Sequence, residues 1–87
     1  MFRARKGELI RLRRDVVRTR LAFNAAREEL IEAAGDWICG SGSAPSPEDL
    51  RMLEDLYQAH QNAEARYLAC ITAVSESVVA QAQRARP

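Results

Sequence analysis

Long apolar runs are missing from this chain, and so are most residues that carry chemistry. No stretch approaches the roughly 20 consecutive apolar residues that a membrane-spanning helix needs. The start, Met1-Phe2-Arg3-Ala4-Arg5-Lys6, is basic but has no apolar core of the kind an export signal carries. These absences predict a cytoplasmic protein with no membrane partner. Two cysteines, Cys39 and Cys70, are too few for a disulfide framework in a small fold. There is one histidine, His60, and there are only five aromatic residues. Lysine is almost absent: Lys6 stands alone against twelve arginines. Arginine codons are GC-rich, so this usage points to a high-GC bacterium, its phage or another mobile element.

Strong net charge is absent as well. At +1 over 87 residues, bulk attraction to nucleic acid or to an acidic membrane is excluded, which leaves local patches as the only electrostatic device. The apolar fraction of 47% is that of a folded domain and is mostly alanine, leucine, valine and isoleucine. With helix formers dominant and only four glycines, the composition predicts an all-α chain of one small domain, residues 1–87.

One interruption divides it. Gly40-Ser41-Gly42-Ser43-Ala44-Pro45-Ser46-Pro47 cannot continue a helix, whereas Gly35 marks only a weak point before it. Beyond the interruption, Ser46 suits an N-cap and Pro47 the first helical position. Glu48 and Asp49 complement the helix dipole, and Asp49 stands at capping-box spacing from Ser46. The pattern predicts a helix over about 7–39, a loop over about 40–46 and a helix over about 47–84.

Both helices carry a seam with alternating steps of three and four. On the first it runs Leu9, Leu12, Val16, Thr19, Phe23, Ala26, Leu30, Ala33 and Trp37. On the second it runs Leu53, Leu56, His60, Ala63, Tyr67, Cys70, Val74 and Ser77. A short loop makes the two helices antiparallel. Matching the ends of the helices across the loop sets Phe23 near Ala63, Leu30 near Leu56 and Val16 near Cys70.

Each helix also has a second apolar row: Ile10, Val17, Ile31 and Ile38 on the first, and Leu50, Tyr57, Ile71 and Val78 on the second. A two-helix hairpin buries one stripe per helix, so this row stays wet. Exposure forfeits roughly 1.5–3 kcal/mol per large side chain. The economical cover is a homodimer, two hairpins closing into a four-helix bundle.

Charge is segregated. Residues 1–20 hold eight basic and two acidic side chains, and residues 21–64 hold two basic and nine acidic ones. Folding the hairpin makes the terminal end basic and the loop end acidic. Lys6, Arg13, Arg20 and Arg27 recur every seven residues beside the second apolar row, with Glu64 as an expected ion-pair partner for Arg20 or Arg27. Arg3, Arg5, Arg11, Arg14 and Arg18 lie elsewhere on that end and form a candidate basic surface for an acidic partner.

No catalytic set accompanies His60, which lies on the seam and lacks a nucleophile and an orienting acid. Cys39, Cys70 and His60 share no metal-ligand spacing, and Gly40 and Gly42 are not followed by the lysine of a phosphate loop. The sequence therefore predicts a non-enzyme with no cofactor and no metal. The reading is a protein-binding helical hairpin, a small regulator, inhibitor or adaptor that docks on a larger protein. The alternative is a dimer that presents its arginine-rich first helix to nucleic acid; the central acids and the lack of aromatics among the arginines weigh against it.

Overall fold

The computed structural model describes the backbone of residues 2–85 and the side chains of residues 5–85. Two long helices account for nearly all of it: α1, Phe2–Ile38, and α2, Pro47–Arg84. They pack side by side as an antiparallel hairpin, a rod of 74 × 17 × 17 Å. The second helix keeps its expected bounds. The first begins at Phe2 rather than near residue 7, because Gly7, at about 1 kcal/mol against alanine, is outvoted by the helix formers around it. Gly35 is likewise absorbed into α1 without a break.

The turn is built from local chemistry. The Ser41 amide donates to the Asp36 carbonyl at 2.8 Å and the Gly40 amide to the Trp37 carbonyl at 3.0 Å, a Schellman closure of α1. It requires a left-handed residue, and Gly40 has φ +90°. Gly42, φ +86°, makes the second reversal. At the start of α2, Ser46 Oγ accepts from the Asp49 amide and Asp49 Oδ2 accepts from the Ser46 amide, each at 3.1 Å. This is the capping box that the sequence predicts.

The seam is the one the heptads mark, but its register is shifted. Thr19 Oγ1 lies 3.1 Å from His60 Nδ1, and the Phe23 and Tyr57 rings meet with centroids 5.3 Å apart. Matching helix ends would instead set Thr19 beside Tyr67 and His60 beside Ala26. The expected pairs Phe23–Ala63, Leu30–Leu56 and Val16–Cys70 are thus each displaced by one heptad. Phe23 lies at the height of Leu56, Val16 at that of Ala63, and Leu9 at that of Cys70. Two aligned helices of this length would make a rod of about 57 Å, and a seven-residue slide adds about 10 Å. With the turn included, this accounts for the observed 74 Å.

The slide leaves α1 overshooting α2 at the loop and α2 overshooting α1 at the termini. Ala33 and Trp37, both seam positions, are therefore exposed, Trp37 at 51%. Among the described residues burial is deep only in the middle of α2, where Ala63 is fully covered and Cys70 is 5% exposed. Leu12, Val16, Phe23, Leu30, Leu53, Leu56 and Tyr67 are half-buried.

Candidate functional site

The second apolar row stands in solvent. Ile10, Val17, Ile31 and Ile38 of α1 are exposed, as are Leu50, Tyr57 and Val78 of α2. Ile38 reaches 77% because it belongs to the overshoot of α1. Ile71 departs from the expectation: it is half-buried, next to buried Cys70. Leu21, 62% exposed, extends the α1 row and is absent from the sequence reading. Its signal was available, because Val17 and Leu21 are i,i+4 neighbours on one helical face.

The two rows share one broad side of the hairpin, but they do not touch along its length. In an antiparallel pair the position between seam and outer row on α1 abuts its counterpart on α2, and on α1 that position holds Arg13, Arg20 and Arg27. The arrangement is visible at Phe23. Tyr57 meets its ring at a 51° tilt, and the Arg27 guanidinium lies 5.6 Å from its centroid. Arg27 thus lays its charge on an aromatic face rather than on an acid, a contact worth about 0.5–1 kcal/mol at an exposed site. The Gln61 amide donates to the Tyr57 hydroxyl at 2.7 Å and holds the ring along α2.

Glu64 does not reach the arginine row. Its Oε1 lies 3.0 Å from His60 Nε2, one turn away on the same helix. His60 is thereby held at both nitrogens, by Glu64 and across the seam by Thr19. The Thr19 hydroxyl donates to the Asp15 carbonyl at 2.7 Å and shares a hydrogen bond with His60 Nδ1 at 3.1 Å. Among the described residues this is the one side-chain hydrogen bond that crosses between the helices.

On the outer side of α1, Ile10, Val17 and Leu21 floor a shallow groove walled by Arg13, Arg14 and Arg18. Of the expected basic surface, the structure brings together Arg14 and Arg18, with exposed Arg11 alongside. Arg18 also pairs with Asp15 at 3.4 Å within the helix. Arg5 faces elsewhere: it lines a hollow under the tail of α2, with Ala73, Val74, Ser77 and Arg84, and pairs with Glu8 at 3.6 Å. The Arg3 side chain lies outside the described residues.

Among the described residues no three His, Cys, Asp or Glu side chains gather closely enough to hold a metal ion, and no helix is long and apolar enough to cross a membrane. Cys39 is exposed at the turn and Cys70 is buried on the seam, so the two thiols sit apart in the fold. Compared with known proteins, the chain matches no family model, no curated protein and no solved structure.

Proposed function

We propose that this chain is a non-enzymatic protein-binding module, a small regulator, inhibitor or adaptor that docks on a larger protein. The observation that carries the reading is the imbalance between what is buried and what is not. Among the described residues only Ala63 and Cys70 are buried, while large apolar side chains from Ile10 to Val79 stand in solvent. Scattered exposed apolar residues need no explanation, but rows of them along one side of a helix do. Such rows anchor a partner in the way a helix fills a groove, and the arginines between them steer an acidic surface into place.

The alternative, nucleic-acid binding, rests on Arg11, Arg14 and Arg18, all exposed on α1. Phosphate contact does not call for the Ile10, Val17 and Leu21 floor between Arg14 and Arg18, which favours a protein. The two readings separate in a capture experiment, with the chain as bait in cells of the organism that encodes it. A protein retained at high salt by the wild type and lost with Val17→Asp and Ile31→Asp supports protein docking. Retention that nuclease treatment or salt abolishes, and that Arg11→Ala/Arg14→Ala/Arg18→Ala removes, overturns it in favour of nucleic acid.

A further inference from the structure

We infer that the broad side bearing the second apolar rows takes a second copy of this chain, laid antiparallel, so that two hairpins close a four-helix bundle around a two-fold axis near the middle of the rod. The inference rests on reading that side as a protein-docking surface, and it names the occupant.

The first argument is area. The chain exposes 7079 Å². A compact monomer of 9.7 kDa exposes about 5,100 Å² by the usual scaling of surface with mass. The excess is roughly 2,000 Å² per chain, so two chains that hide it from each other bury about 4,000 Å² in total, within the range of obligate homodimers. An unrelated partner of ordinary interface size, about 800 Å² a side, would leave more than half of the excess wet.

The second argument is charge, and it fixes the direction. Residues 21–58 form the loop half of the rod and hold eight acidic and two basic side chains, while the other half carries the compensating excess of arginine. The carboxylates edge the apolar rows: Glu28 lies one turn before Ile31, and Glu54 lies between Leu50 and Tyr57 on α2. At the other end Lys6 and Arg13 flank Ile10 on the seam side of the row. A parallel copy would set acid against acid and arginine against arginine. An antiparallel copy centred on the rod brings the partner's Lys6 to the height of Glu28. Complementary potentials of this kind select orientation because the wrong one is repelled. The closed interface is isologous, as a two-fold axis demands. It leaves Arg11 and the turn available to a larger partner.

The native thiol at the turn reports on this directly. Cys39 is exposed and Cys70 is buried, so a nitroxide label goes to the loop end alone. Light scattering and dipolar electron spin resonance are then read on the same full-length sample. The expected result is a mass of two chains, about 19 kDa, with labels about 60–70 Å apart, close to the length of the rod. A mass of two chains with labels closer than about 35 Å overturns the antiparallel orientation and leaves self-association standing. A mass of 9.7 kDa overturns the inference altogether, yet leaves the docking reading intact, with the whole side free for a foreign protein. Glu28→Lys/Glu54→Lys changes two exposed side chains away from the seam. It is expected to weaken self-association about tenfold while the helical circular dichroism signal holds. Unchanged affinity would remove charge as the selector.

Discussion

The loop end and the middle of this rod are held by different kinds of interaction. At the loop, local chemistry does the work: two left-handed glycines, a Schellman closure and a complete capping box decide where each helix stops. Little is buried there, and Trp37 and Ile38 stand in solvent. In the middle there are no stop signals at all. The helices are held by half-buried Leu, Val and Phe packed around Ala63 and Cys70, and by one polar pair. Turn chemistry fixes the ends of the elements; packing in the middle fixes how the elements lie against each other.

Substitutions can break that contrast. The largest effect is expected from Ala63→Asp, which places a carboxylate at a fully covered position and destabilises by about 4 kcal/mol, seen as loss of cooperative thermal unfolding in circular dichroism. Next comes a matched pair of truncations. Leu56→Ala, on the half-buried middle of the seam, is expected to lower stability by about 2 kcal/mol in urea titration. Trp37→Ala removes a larger side chain from the overshoot and is expected to cost less than about 1 kcal/mol. Equal losses from the two would contradict the shifted register. Ser46→Ala opens the capping box and is expected to cost about 1 kcal/mol. The smallest effect sharpens the comparison most. In a double-mutant cycle of Thr19→Val and His60→Ala, the structure requires a coupling energy of about 0.5–1 kcal/mol, and a coupling of zero would place the two side chains apart.

Element identity was legible in the sequence because it depends on neighbours in the chain. The three-four spacing from Leu9 to Leu30 marks the buried side of α1, and Ser46, Pro47 and Asp49 mark the start of α2. Register was not legible from that spacing, for a geometric reason: sliding one heptad helix past another by seven residues keeps every seam position on the seam. The signal that does separate the registers is the pair of polar interruptions. Thr19 and His60 each break an otherwise mostly apolar run, and only the observed register sets one against the other. In the aligned register Thr19 would stand beside Tyr67 and His60 beside Ala26, and the hydrogen bond between them would be lost. Of the two rows, the exposure of Ile10, Val17, Ile31, Ile38, Leu50, Tyr57 and Val78 was legible, while the half-burial of Ile71 and the addition of Leu21 were not. Arg27 was not, because the Phe23 ring offers it a partner that charge counting does not register. Glu64 likewise went to His60 and not to an arginine.

The cross-seam hydrogen bond between Thr19 and His60 also makes the rod modular. A repeating seam has no landmark of its own, so the Thr19–His60 pair acts as the notch from which both helices are measured. Whole heptads added to or removed from both helices on the turn side of the notch, or on the terminal side, leave its alignment untouched. Length can therefore change in steps of about 10 Å while the alignment of the seam stays the same.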